Sequence, residues 1–345
     1  MPSLEAIIKK RILADGPMSI AEYMELALTH PKYGYYMRKD PLGVQGDFIT
    51  APEISQIFGE LIGAWLASQW IAMGKPKTAL VELGPGRGTL MSDALHSTRN
   101  IPGFHEAMSI HLVEASPALK QKQWNVLAGK HPDIQWHSGF DEIPPGPLLL
   151  IANEFFDALP VRQYVHLADG WHERFVIVGV DGHLHFTIPA AAGRMVERGE
   201  SGKEWAAAIA RQLLHYGGAA LIIDYGYNGP PKNSQETLQA IRNHQYHDVL
   251  KAPGSADLTA HVDFHAIKQA AAEEGAAGYG PVTQGNFLEA LGGQLRLEKL
   301  CENATEKQKF AMLSSWERLT SPDQMGDLFK VLCIAHPQHP KPEAF

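Results

Sequence analysis

Thr78-Ala79-Leu80-Val81-Glu82-Leu83 runs straight into Gly84-Pro85-Gly86-Arg87-Gly88, and this junction constrains the fold more than any other stretch of the chain. A short apolar run bounded by glycines reads as a buried strand. Glycine at every second position after it lets the backbone take positive φ and approach a ligand closely. The following residues, 89–95, read as a helix whose first amides face that ligand. A dinucleotide fingerprint sets its third glycine three residues after the second. That position is Thr89, and Gly88 comes one residue early. Gly-Pro-Gly is also ordinary turn chemistry, but strand, acid and helix in register favour a nucleotide site.

From Thr78 onward strand and helix patterns alternate, which predicts an α/β fold with a doubly wound, mostly parallel sheet. The expected strands are 78–83, 109–114, 134–137, 148–153, 219–224 and 328–335, with a weaker one at 276–280. Between Val161 and Pro189 the alternation breaks. Three strand-like stretches there, 163–167, 173–178 and 184–188, are joined at Asp169-Gly170 and Asp181-Gly182, which are hairpin signals. They predict an antiparallel β-meander inserted in the core, followed by a helix over 202–216 that stops at Gly217-Gly218. The stretch 228–263, rich in Gly, Pro, His and Asp, is expected to form long functional loops.

The first 72 residues read as helical. Ser19-Ile20-Ala21-Glu22 and Thr50-Ala51-Pro52-Glu53 both fit capping boxes. The aromatic and glycine-rich segment between them, through Gly46-Asp47-Phe48, is expected to fold over something as a lid, its glycines allowing movement. The predicted organisation is a helical lid region at 1–72, the cofactor-binding half of the core at 73–160, the β-meander insertion at 161–200 and the second half at 201–345, with long substrate loops at 226–265.

In such a sheet ligands bind at the carboxyl ends of the strands, so the residues there are the candidates. The first strand delivers Glu82 with Gly84, Gly86 and Gly88. The second delivers Glu114, 26 residues past Gly88, a carboxylate able to accept two ribose hydroxyls. The third delivers Phe140, to cover an adenine ring, and Asp141, to accept its amino group. The fourth delivers Asn153, Glu154 and Asp157, polar groups at the mouth of a buried strand that are costly unless paired or used. The fifth delivers Asp224. Glu82, Glu114, Glu154 and Asp224 together make a negative crevice, which suits a sulfonium and an ammonium group and repels a dinucleotide pyrophosphate; a nicotinamide oxidoreductase is therefore disfavoured.

The net charge of −8 argues against general nucleic-acid binding, while an acidic cleft would favour a basic protein segment. Two cysteines, Cys301 and Cys333, suggest a reducing compartment. The seventeen histidines are scattered, with no CxxC or HExxH, so no metal is signalled. Neither a secretory signal nor a run of about 18 apolar residues is seen. The expectation is a soluble cytoplasmic protein with no membrane insertion; a homo-oligomer stays open.

The sequence resembles the MidA family of class I S-adenosyl-L-methionine (AdoMet) methyltransferases, which includes the mitochondrial complex I assembly methyltransferases. The resemblance is carried by the segments 46–56, 82–89, 153–160, 223–227, 256–264 and 280–285, in order, and spans nearly the whole chain. It implies a class I methyltransferase fold with a seven-stranded sheet and AdoMet as cofactor; our own reading of the residues has the cofactor held by Gly46, Phe48, Glu82, Gly84, Gly86, Gly88, Glu114, Phe140, Asp141 and Asn153. The resemblance implies transfer of a methyl group to arginine on a partner protein, such as a respiratory complex I subunit, by what looks like a bacterial relative. Our own reading of the residues makes Glu154 the clamp on the guanidinium, because a carboxylate matches that fork, with Asp157 or Asp224 as the second acid and His261 as a proton acceptor or a plain loop histidine. The alternative is an assembly or binding factor with a vestigial AdoMet site.

Overall fold

The computed structural model describes residues 3–38, 49–229 and 236–345. The described chain forms two compact units that interleave in sequence.

The larger unit comprises Ile49–Phe155, Ala206–Gly226 and Ala266–Phe345. Among the described residues, seven strands of its sheet form one hydrogen-bonded path: β1 Thr78–Leu83, β2 Met108–Val113, β3 Ile134–His137, β4 Leu148–Asn153, β5 Gly218–Tyr227, β6 Ala277–Thr283 and β7 Phe329–Ala335. They lie in the order β3-β2-β1-β4-β5-β7-β6. Pairings β1–β2, β1–β4, β2–β3 and β4–β5 are parallel, while β7 runs antiparallel to both its neighbours. This is the mostly parallel sheet that the alternation predicts. The central strands β1 and β4 are buried along their whole length because both faces are covered; Leu148, Leu149, Leu150 and Ile151 have no exposed surface. The chain leaves β1 toward β2 and β3, then returns to β4 on the other side. The mouths of β1 and β4, paired through Leu83 and Ala152, are therefore the topological switch point, where ligands of open α/β sheets bind.

A helix at Gln56–Ala72 packs on the helix that follows the glycine loop, Thr89–Thr98. Small residues permit the approach: a Cβ at Gly63 would lie 2.8 Å from the Ala94 carbonyl oxygen. Glu60 fixes the first of these helices to Arg296 by a two-pronged ion pair at 2.7 and 2.9 Å.

The Thr50 capping box does not form. Thr50 precedes a single helical turn, Ala51–Ile54, without a side-chain cap, and Ser55 caps a new helix from Gln56. The partners that displaced the box belong to the site described below. The Ser19 box does form, with both reciprocal bonds.

The smaller unit draws on Met1–Phe48, Phe156–Trp205 and Tyr227–His265. Its core joins Ile8, Ile20, Tyr23, Met24 and Leu28 to Val176, Leu238 and Leu258. The expected three-stranded meander is instead divided between two sheets. Arg162–Leu167 pairs with Gly170–Glu173 and with Arg194–Arg198; Phe175–Val178 pairs with Leu184–Phe186 and with Met18–Ser19. The break falls at Arg174, 3% exposed, whose guanidinium turns inward to donate to the Ile188 carbonyl at 2.7 Å and to Gln163 Oε1 at 2.8 Å. Residues 228–263, expected as loops, contain a third sheet: Gln239–Arg242 between Gln245–His247 and Asp257–Thr259. Its turn places Asn243 and His244 both at positive φ, the conformation of a tight hairpin.

Candidate active site

The glycine loop leaves the buried end of β1 with φ of +58° at Gly84, +55° at Gly86 and +84° at Gly88, a left-handed path open to glycine at little cost. The loop closes on itself through a Gly88 N–H to Pro85 carbonyl bond of 2.7 Å. Gly88 then begins the helix without a side-chain cap, so the loop backbone and first helical turn present donors rather than side chains. Phe155 lies against Gly84, where any Cβ would come within 3.0 Å of its ring.

Glu82 sits beneath this loop, 3% exposed. It accepts the Met91 N–H, and burial pushes its carboxyl up to about 8. Its Oε2 has no hydrogen-bond partner. A carboxyl raised that far is mostly protonated at neutral pH, so Glu82 adds little to the negative charge of the crevice expected from sequence.

Glu114 follows β2 and is 8% exposed. Oε1 accepts the Ser116 N–H at 2.7 Å and Oε2 accepts Gln123 Nε2 at 3.0 Å. Burial raises its pKa, and these two bonds work against the rise. With the Ala115 N–H also donating, about three of its four lone-pair sites are used, so the carboxylate is fixed in orientation with capacity left for a ligand hydroxyl. Gln123 is the residue that sequence reasoning missed. Its amide also donates to the Gly86 carbonyl at 2.8 Å, and its Oε1 accepts Trp136 Nε1 at 2.9 Å. It locks Glu114 and the glycine loop into one frame. Nothing in its local sequence marks it.

After β3, Phe140 and Asp141 open a short helical turn, Phe140–Glu142; Phe140 is half-buried and Asp141 exposed. Asn153 ends β4 at 8% exposure with its Oδ1 unpartnered. Glu154, next to it, takes φ of +51°, a strained conformation for a long side chain. Its Oε1 accepts the Ala51 N–H at 2.9 Å and Asn153 Nδ2 at 3.2 Å. A long-range carboxylate thus caps the turn that Thr50 was expected to cap. Glu53, freed from the box, bonds the Thr89 hydroxyl and lies 3.9 Å from Arg87. Asp224, near the end of β5, has no exposed surface, and its Oδ1 accepts the Tyr225 N–H at 2.9 Å.

Glu82, Gly84, Gly86, Gly88, Glu114, Phe140, Asp141, Asn153, Glu154 and Asp224 are therefore all in the larger unit, at its strand mouths. Asp157 and His261 belong to the smaller unit. The Asp157 carbonyl accepts the Ala260 N–H at 2.9 Å, and its carboxylate, with Asp257, helps hold the Tyr36 hydroxyl well above its usual pKa, behind the larger effect of burial. The His261 N–H donates to Thr237 Oγ1 at 2.9 Å, and burial lowers the imidazole's pKa. Gly46 and Phe48 lie outside the described residues. Among the described residues no cluster of three His, Cys, Asp or Glu could hold a metal.

The left-handed glycine loop, the oriented Glu114 carboxylate and the orphaned, buried Asn153 Oδ1 fit a nucleoside that also carries an amino acid. Comparison with known proteins agrees. The family model described as "Putative S-adenosyl-L-methionine-dependent methyltransferase" matches residues 61–282. The zebrafish (Danio rerio) protein named "Protein arginine methyltransferase NDUFAF7, mitochondrial" is 37% identical, covering 95% of this chain and 85% of its own. The Homo sapiens protein of the same name is 35% identical over 96% and 83%. A crystal structure of a COG1565 superfamily member from Burkholderia thailandensis, bound to S-adenosylhomocysteine, superposes with a TM-score of 0.87 at 26% identity, covering 99% of this chain and 94% of that one. The chain belongs to the MidA family of S-adenosyl-L-methionine-dependent methyltransferases.

Proposed function

We propose that this methyltransferase modifies arginine on a partner protein. The observation that carries this reading is the likeness, over 94–96% of the chain, to proteins named protein arginine methyltransferase. A subunit of respiratory complex I is the candidate substrate that the family resemblance suggests. The proposed setting is the cytoplasm of a bacterial cell. No described helix is long and apolar enough to cross a membrane.

When bound, AdoMet supplies an electrophilic methyl group on sulfur. The chain's own work is to hold and orient. Glu114 accepts a ribose hydroxyl, the glycine loop approaches the amino-acid portion with bare backbone, and Phe140 with Asp141 borders the adenine. Glu154 takes the guanidinium. Its left-handed backbone and its bond to the Ala51 amide orient the carboxylate, which would hold and localise charge on the nitrogens that are not methylated. Asp224, in the same unit as Glu154, is the proposed second acid.

The test is Glu154→Gln. The amide oxygen still accepts the Ala51 N–H, so fold and S-adenosylhomocysteine affinity should match the parent. Methyl transfer into arginine, read as methylarginine after hydrolysis of labelled lysate protein, should fall by about 10²-fold or more, as for other lost electrostatic contacts to developing charge. A stable, fully active Glu154→Gln removes Glu154 from the chemistry. Label confined to lysine or to small molecules removes arginine as the target.

A further inference from the structure

The turn Ala51–Ile54 touches the site at two places. At its start, the Ala51 N–H is held by Glu154 Oε1 at 2.9 Å. At its third residue, Glu53 accepts the Thr89 hydroxyl with one oxygen, and its other oxygen lies 3.9 Å from the Arg87 guanidinium. Arg87 stands between the two left-handed glycines Gly86 and Gly88, and Thr89 is the first residue of the helix that follows. Glu53 therefore grips the loop at two positions, one at each side of Gly88. It is about one-fifth exposed, so solvent screens the charged contact only in part. Pro52 stiffens the turn between the two grips by fixing its φ, and Ser55 breaks it from the next helix. A displacement of the loop at Thr89 has a short, stiff path to Glu154.

We infer that Glu53 is a positioning residue: it sets the geometry of the glycine loop and ties that geometry to the placement of Glu154. Thr89, which departs from the dinucleotide fingerprint, is its partner in this. The inference rests on the glycine loop being the cofactor cradle; it does not need Glu154 to be the guanidinium clamp.

The experiment is calorimetric titration of the full chain with S-adenosylhomocysteine, with a thermal melt on each preparation. Thr89→Val keeps shape and removes the hydroxyl; affinity should fall about 3- to 10-fold, the scale of one hydrogen bond. Glu53→Ala removes both contacts and should lose somewhat more, about 10- to 30-fold. The double variant should be no weaker than Glu53→Ala alone, because both substitutions break one link. Thr89→Ser restores the hydroxyl and should bind within about twofold of the parent. In parallel, the Ala51 amide should exchange more slowly when S-adenosylhomocysteine is added to the parent protein, and should lose that response in Glu53→Ala, a change that a purely structural role would not produce. Additive losses, or single variants that bind within about twofold of the parent whatever their melting temperature, overturn the inference. A parent protein that does not bind S-adenosylhomocysteine overturns the cofactor reading, and the inference with it.

Discussion

Two buried polar clusters, one in each unit, are built in opposite ways. In the smaller unit the groups around Arg174 and Glu197 close on one another. Arg174 donates to the Ile188 carbonyl, to Gln163 and to Glu236 while lying 3.6 Å over the Phe186 ring. Glu197 accepts from Gln163 at 2.8 Å, from the Thr237 and Leu238 amides at 3.2 and 3.1 Å, and from the Thr237 hydroxyl. In the larger unit the polar groups around the strand mouths are left partly open: Glu82 Oε2 and Asn153 Oδ1 are buried without partners, and Glu114 is braced with capacity to spare. A buried network that satisfies itself is scaffold. Buried valences left vacant at a switch point mark where a ligand is to complete them.

The largest effect should come from opening the closed network. Arg174→Ala leaves Glu236 and Gln163 without their donor, and breaking one side of a buried pair costs about 3–5 kcal/mol. Urea unfolding should register that loss, while the folded fraction binds S-adenosylhomocysteine within about twofold of the parent. An equal fall in affinity would erase the distinction between the two networks.

Gly86→Val should do the reverse. A branched side chain is strained at φ of +55° and stands where backbone must meet ligand. Calorimetry should show at least about a 100-fold loss of S-adenosylhomocysteine binding, about 2.7 kcal/mol, with the far-ultraviolet circular dichroism unchanged. Retained binding would put the cofactor elsewhere.

The same comparison explains what could be read in the sequence. Strands β1 and β4 match their expected ranges because strands buried on both faces leave nearly continuous apolar runs, and the glycine spacing is a backbone requirement written directly in residue type. The smaller unit is held by contacts far apart in sequence. Met18 pairs with Val176 and Gln239 with Thr259, and such pairings leave no local period. Within the site, Glu82, Glu114 and Glu154 were visible because acids ending apolar runs are conspicuous. Gln123 was invisible: a polar residue inside the amphipathic helix Pro117–Leu127 looks like any solvated position until the fold brings it to Gly86. Thr50 misled because a capping box is a local pattern, and Glu154 and Thr89 outcompeted it from 103 and 36 residues away.

Glu114→Ala should weaken S-adenosylhomocysteine by about 1.5–3 kcal/mol, the range for hydrogen bonds to a charged group, or about 10- to 150-fold in dissociation constant. Glu114→Gln keeps size and should be milder. Because Gln123 holds both Glu114 and Gly86, Gln123→Ala should also weaken binding. A change under about twofold for Glu114→Ala would remove Glu114 from the site and leave it a second closed network.

The smallest effect concerns the open valence itself. The Glu82 carboxyl, raised by burial to about 8 in the folded protein from its ordinary value of 4.5, keeps its proton where the unfolded chain has lost it. Between those two values the folded state binds more protons than the unfolded one, so stability falls as pH rises through the window and levels off above about 8. Glu82→Gln has no proton to lose and should lack this slope, while its amide oxygen can still accept the Met91 N–H. The stability advantage of the variant over the parent, from urea midpoints at pH 5 and pH 8, should therefore grow by about 1–2 kcal/mol. That is below the limit of about 1.4 kcal/mol per pH unit, because buried sites relax around a charge. The same variant should bind S-adenosylhomocysteine no more tightly than the parent, since what it removes is strain from an unfinished site. A stability difference that stays flat from pH 5 to pH 8 would mean that Glu82 is already ionised and paired in the folded protein, and the larger unit would then be closed at its centre just as the smaller one is.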